Sequence, residues 1–138
     1  MDPEEVGRFW NANADAWTKL SRAGYDVYRD YLNTPAFFAI LPDVDGLSGL
    51  DIGCGEGHNT RLLARRRAMV TAIDISEVFI AHAKLAEEQE PLGIEYLNRT
   101  TQDWDTVQYR ARKQAVDRVM RRLLNPSLGL ESGSSELH

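Results

Sequence analysis

Only one cysteine, Cys54, occurs in the 138 residues, so no disulfide can form within the chain. Small secreted domains lean on cross-links to hold their folds. A lone thiol suits a reducing compartment instead, and the expected location is the cytoplasm. Long apolar runs are also missing. The longest, Ala36 to Leu41, falls far short of the roughly 20 residues that cross a bilayer. The opening Met1-Asp2-Pro3-Glu4-Glu5 carries acids where a secretory signal carries bases and then apolar residues. No membrane partner is expected. There is no excess of basic residues either: 16 Lys and Arg stand against 21 Asp and Glu, a formal net charge of -5. That balance gives no reason to expect nucleic acid as a partner. The ATP and GTP phosphate loop, Gly-x4-Gly-Lys-Ser/Thr, is absent, and there is no internal repeat.

What is present divides into a helical lead-in and an alternating strand–helix segment. Asp2-Pro3-Glu4-Glu5 is a helix start: Asp2 caps, Pro3 fits the first position, and the carboxylates suit the positive end of the dipole. Val6, Phe9 and Trp10 then share a face. A second helical stretch is predicted from about Asp15 to Tyr31, weakened by Gly24, and a third from Thr34-Pro35 to Leu41, closed by Pro42. Strands are predicted over Leu50 to Ile52, Met69 to Ile75 and Ile94 to Leu97. A helix from about His58 to Arg67, with Leu62 and Leu63 inward, joins the first two. A helix capped by Ser76, with Phe79, Ile80, Ala83 and Ala86 on one face, joins the second pair. Strands alternating with helices imply an α/β fold with a parallel sheet. The organisation expected is a helical cap over 1–46, a Rossmann-like half over 47–104, a helix over 105–124 and a flexible tail over 125–138.

Leu50-Asp51-Ile52-Gly53-Cys54-Gly55-Glu56-Gly57 is the informative segment. A strand ending in Gly-x-Gly-x-Gly and turning into a helix brings bare backbone close to a ligand, because no Cβ intervenes. In a doubly wound sheet that turn lies where ligands bind. Alone, the turn is equally compatible with tight packing and no ligand. Two carboxylates shift the balance. Asp51 lies inside the motif, and Asp74 ends the next strand about 20 residues on, where an acid accepts hydrogen bonds from ribose hydroxyls. Their plainer alternatives are helix capping and solvation.

The ligand class follows from charge. A dinucleotide fingerprint needs glycine at position 58, where His58 stands. Asp51 and Glu56 beside the helix start would repel pyrophosphate. An adenosine derivative without phosphate, carrying an ammonium and a sulfonium, escapes that conflict. S-adenosyl-L-methionine is such a molecule.

Leu50 to Gly57, together with Val70-Thr71-Ala72-Ile73-Asp74-Ile75-Ser76, resembles the first two motifs of class I S-adenosylmethionine-dependent methyltransferases. The likeness is greatest to the branch of ubiquinone and menaquinone biosynthesis enzymes and other small-molecule methyltransferases, and it covers about residues 1–104. The resemblance implies that Asp51, Gly53 and Gly55 line the methionine part of the cofactor. Asp74 would hold the ribose, with Ile75 packing on the adenine, and Cys54, Gly57 and Ser76 are expected among the cofactor-binding residues. Gln102 and Asp103, in Thr101-Gln102-Asp103-Trp104, match the third motif near the adenine amino group. Trp10, Trp17 and Tyr25 would belong to the N-terminal cap, or else are packing residues of helices.

The family sheet has seven strands, and none is legible between 105 and 138. The fold expected is therefore the N-terminal half only, about three strands, with the first left at an open edge. Val116, Val119, Met120 and Leu123 of the 105–124 helix are placed to cover that edge. Its other face carries Arg110, Arg112, Lys113, Arg118, Arg121 and Arg122 against Asp117, read as a solvated face. The open edge offers pairing to a second copy or another chain. Two functions stay open: a methyltransferase acting on a small-molecule acceptor, or a truncated, non-catalytic chain that binds cofactor or a partner. A nicotinamide oxidoreductase is disfavoured by His58. No catalytic base stands out, although His58 and His82 are present.

Overall fold

A computed structural model describes residues 2–103 together with 105, 107–111, 113, 116 and 124. Helix α1 (Pro3–Arg22) begins as its sequence dictates: Asp2 Oδ1 accepts the Glu5 amide at 2.8 Å, and Pro3 occupies the first turn. It runs unbroken for 20 residues, where two helices were expected. The break falls later, at Gly24, whose φ of +82° is open to glycine at little cost. The Gly24 and Tyr25 amides turn back onto the Ser21 and Leu20 carbonyls and close the helix end. The stretch to Tyr31 is therefore not a continuation. A π-helical turn (Arg29–Asn33) leads instead directly into α2 (Thr34–Ile40).

Strands β1 (Ser48–Ile52), β2 (Met69–Asp74) and β3 (Glu95–Asn98) form a parallel sheet in the order β1-β2-β3. β1 starts two residues earlier than its apolar run suggests, because pairing with β2 extends back to Ser48 opposite Met69. β3 is displaced by one residue from its predicted span. Central β2 is buried along its whole length, as a strand covered on both faces must be. Helix α3 (His58–Arg65) joins β1 to β2, and α4 (Glu77–Gln89) joins β2 to β3. Ala64 of α3, Ile80 and Ala83 of α4, Ala72 of β2, Ile94 just before β3 and Tyr96 within it form one apolar cluster. The residues of α3 that are buried are Thr60, Arg61 and Ala64, while Leu62 and Leu63 are half-buried. Arg61 is tolerated inside because its guanidinium meets Glu87 at 3.0 Å and Glu90 at 2.8 Å.

Helix α1 lies along α4. Ser76 Oγ donates to Asn11 Oδ1 at 2.7 Å and accepts the Phe79 amide, so the predicted cap also ties the two helices together. Further along, His82 Nε2 lies 2.7 Å from Asp15 Oδ1, so that histidine serves the helix pair. Among the described residues, no strand pairs with the outer edge of β1. Val116 is exposed, contrary to its expected place in a covering face, and Val107 is the fully buried residue of this region. Arg110 pairs with Glu95 at 3.0 Å, and Lys113 is exposed. Val119, Met120, Leu123, Arg112, Asp117, Arg118, Arg121 and Arg122 lie outside the described residues, as does the tail from 125. No described helix is long and apolar enough to cross a membrane.

The end of α3 carries a local conflict. Arg67 has φ +68°, the left-handed region that costs a side-chain-bearing residue about 1–2 kcal/mol. The turn needs it there, since the Arg67 and Ala68 amides return to Ala64 and Leu63 and direct the chain into β2. Replacing Arg67 with glycine should raise unfolding stability by roughly 0.5–1 kcal/mol in urea denaturation, because its ion pair with Asp45 is exposed and worth little. A loss of stability would show that the Asp45 pair outweighs the backbone strain.

Candidate cofactor site

The glycine turn is held from below by β2. The Gly53 and Cys54 amides both donate to the Ile73 carbonyl, at 2.8 and 3.0 Å. Gly53, Gly55 and Gly57 all have positive φ. At Gly53 and Gly55 an added Cβ would meet nothing, so the backbone there borders open space. Gly57 differs: a Cβ would lie 2.5 Å from Tyr96 Oη. Its bareness serves the packing of the turn against β3, and Gly57 lines neither cavity described below.

Asp74 is 8% exposed. One of its carboxylate oxygens accepts the Gly55 amide and the other the Ser76 amide, each at 2.8 Å. A carboxylate offers about four acceptor positions, so both oxygens keep capacity for further donors. Asp51 Oδ2 accepts the Thr60 hydroxyl at 2.6 Å. Burial pushes the Asp51 carboxyl above the usual carboxylate range, opposed by the Thr60 bond and reinforced by the charge of Asp74.

Two cavities open on this turn. The larger, about 460 Å³, is lined by Ile52, Ile73, Asp74 and Ile75, by Trp10, and by Arg99, Thr100 and Thr101 beyond β3. The smaller, about 160 Å³, is ionic, with Asp26, Arg29, Asp51, Glu56 and His58 in its wall. Cys54 lines it too, its thiol held protonated by burial and nearby carboxylates. Burial, and then the Arg29 charge, lowers the His58 pKa, opposed by the charges of Glu56, Asp30 and Asp26.

Several site residues were not legible. Glu56, 7% exposed, meets Arg22 Nε at 3.0 Å and Arg29 Nη1 at 3.4 Å. Its charge is thus engaged with two guanidinium groups, and its expected repulsion of phosphate is largely cancelled. Arg29 spends its other donors on Asp30 and on the hydroxyl and carbonyl of Ser21. Among the described residues, one of its five N–H groups has no partner, on the side chain that lines the smaller cavity. Arginine pairing across 27 or 34 residues leaves no periodic trace in a sequence. Trp10 and Trp17 line the larger cavity and are half-exposed; Trp10 also packs against Phe9 and Phe79, and Tyr25 is exposed and lines neither cavity. Gln102 and Asp103 stand just beyond the wall, where Asp103 accepts the Thr100 amide at 3.1 Å. Ser76 is buried as the cap of α4 and is likewise outside the lining. Trp104 lies outside the described residues. Among the described residues no group of three or more His, Cys, Asp or Glu side chains could hold a metal.

Residues 50–126, more than half of the chain, match the methyltransferase domain family. The chain belongs to that family. Its strands, flanking helices and glycine turn are those of a class I S-adenosylmethionine-dependent methyltransferase. Among curated relatives, a ubiquinone biosynthesis O-methyltransferase of Coxiella burnetii is 32% identical over 99 residues, covering 70% of this chain and 41% of that protein. One from Methylocella silvestris is 33% identical over 112 residues, covering 70% and 44%. Among solved structures, an S-adenosylmethionine-dependent methyltransferase from Mesorhizobium loti shares 39% identity, with a TM-score of 0.42 over 46% of this chain and 28% of that one. Another, from Aquifex aeolicus, shares 20% identity, with a TM-score of 0.48 over 59% and 46%. The chain spans less than half the length of these curated relatives.

The Gly57–Tyr96 contact gives a direct check on the turn. Gly57→Ala, with its φ of +89° and its clash at the Tyr96 hydroxyl, should destabilise by about 2–3 kcal/mol. Adding Tyr96→Phe should recover part of that loss in the same denaturation experiment. If the pair of substitutions is strictly additive, the contact does not set the turn.

Proposed function

We propose that this methyltransferase domain binds S-adenosyl-L-methionine in the two joined cavities and carries the methyl group to a small-molecule acceptor. The observation that supports it is a bare backbone turn between an apolar cavity lined by Asp74 and an ionic cavity lined by Asp51. Adenosine suits the first: Asp74 has acceptor capacity for ribose hydroxyls, while Ile75, Ile52 and Ile73 offer apolar surface to the base. Thr100 and Thr101, ahead of Gln102 and Asp103, line that cavity as well. An amino-acid end suits the second, where Asp51 attracts the ammonium and the unspent N–H of Arg29 attracts the carboxylate.

When bound, the cofactor supplies a methyl group already activated by positive sulfur. The residues here need to orient it and exclude water more than to move protons. The names of the relatives favour an oxygen acceptor. His58 lines the smaller cavity and is the histidine this reading offers there as a proton acceptor. The lone Cys54 thiol supports a cytoplasmic setting, and the unpaired edge of β1 is where this reading puts any partner chain.

Calorimetric titration with S-adenosylmethionine and S-adenosylhomocysteine tests the proposal. Asp74→Ala should weaken both by roughly ten- to hundredfold per hydrogen bond lost. It should also lower stability, because the Gly55 and Ser76 amides lose their acceptor. Unchanged affinity would remove Asp74 from the site. Binding without methyl transfer across a broad acceptor panel would favour the non-catalytic alternative.

Asp51 adds a pH signature. Its carboxyl lies above the usual range in the free protein, and a bound ammonium favours the ionised form, so binding releases a proton as pH falls into that range. Affinity should therefore be flat near neutrality and decline as pH falls through the raised Asp51 value. Asp51→Asn should bind more weakly at neutral pH and lose that decline; a variant with the same pH profile as the parent would contradict the assignment.

A further inference from the structure

The two cavities share Trp17, Gly53, Gly55 and Phe79. The glycines offer only backbone at this junction. Phe79 is 5% exposed, and its ring packs against Trp10 at 6.3 Å between centroids. Trp17 is different. It is 52% exposed on α1, while its neighbours Ala14 and Thr18 are buried. Trp17 has no ring partner among the aromatic contacts of the described residues. A large indole left half in water, over a turn kept free of side chains, has no packing task that accounts for it.

The inference rests on the cofactor reading above. With adenosine in the apolar cavity and the amino-acid end in the ionic one, the sulfur joining them falls at the junction. We propose that Trp17 is a positioning and specificity residue whose indole face receives the sulfonium charge of the cofactor. Tryptophan has the strongest quadrupole of the aromatic side chains and attracts cations within about 6 Å of its ring. Asp26, Asp51 and Arg29 line only the ionic cavity, and Asp74 only the apolar one. The indole, half-exposed where the Phe79 ring is buried, is therefore the accessible aromatic face at the middle of the ligand.

The chemistry gives this contact a direction. In methyl transfer the S–CH3 bond breaks and its electron pair stays on sulfur. The methyl carbon bonds to a lone pair of the acceptor, whose proton is then lost. Sulfur goes from positive to neutral, so the attraction to Trp17 disappears with the reaction. The indole thereby favours the loaded cofactor over its spent form.

The test is calorimetric titration of the parent chain, Trp17→Phe and Trp17→Leu. Three ligands are used: S-adenosylmethionine, neutral S-adenosylhomocysteine, and sinefungin, which places an ammonium where the sulfonium methyl stands. Trp17→Leu should weaken the two cationic ligands by roughly three- to thirtyfold, with S-adenosylhomocysteine changed by less than about twofold. Trp17→Phe should fall between. Equal weakening of all three, loss of all binding in the variant, or no weakening would each overturn the role of Trp17. If the parent chain binds none of the three, the cofactor reading falls as well, which separates the two failures.

Discussion

Two backbone amides, those of Gly55 and Ser76, converge on the carboxylate of Asp74. One belongs to the turn after β1 and the other to the start of α4. A single side chain at the end of β2 therefore fixes the distance between the two places where the sheet's upper edge opens. A glycine-rich turn is the costliest backbone to order, and without an acceptor placed between them these amides would point into a low-dielectric site unpaired. With both oxygens engaged, the turn stays open and bare. The same carboxylate keeps capacity for a ligand, so the group that builds the cleft also faces into it. The Ile73 carbonyl, which accepts the Gly53 and Cys54 amides, completes the anchorage from the same strand.

The second constraint is the attachment of the helical lead-in. α1 is bound to α4 through Asn11, Ser76 and the Asp15–His82 pair, and to the glycine turn through Glu56. That carboxylate is nearly buried between Arg22 and Arg29. Removing one partner of such a group leaves an uncompensated charge, which is far worse than an exposed pair coming apart. The cluster therefore keeps the indoles of Trp10 and Trp17 over the turn. The ionic cavity is a product of the same cluster, since Arg29 and Glu56 stand in its wall.

Much of this was legible from residue order. Asp2-Pro3, Ser76 and the glycines gave the helix starts and the turn, because capping and positive φ are local properties of those residue types. The alternation after Leu50 gave three parallel strands. Less was legible where local patterns run together. The helical periodicity of the first 22 residues has no internal stop signal, and Gly24 acts as a terminator only through bonds made back to Leu20 and Ser21. Gly57 looks like a ligand glycine in sequence, whereas its neighbour Tyr96 lies 39 positions away. In the third motif, Thr100 and Thr101 line the cavity, while Asp103 turns back to accept the Thr100 amide. Arg29 and Glu56 were invisible as partners, because pairing at long sequence distance depends on where the chain folds, not on spacing.

A crystal structure of the chain with S-adenosylhomocysteine bound examines the central claim most directly. The ribose hydroxyls should lie within hydrogen-bond reach of Asp74, with the homocysteine end turned toward Asp51 and Arg29. Well-defined ligand density outside the two cavities, or a bound pose in which neither carboxylate contacts the ligand, would contradict it.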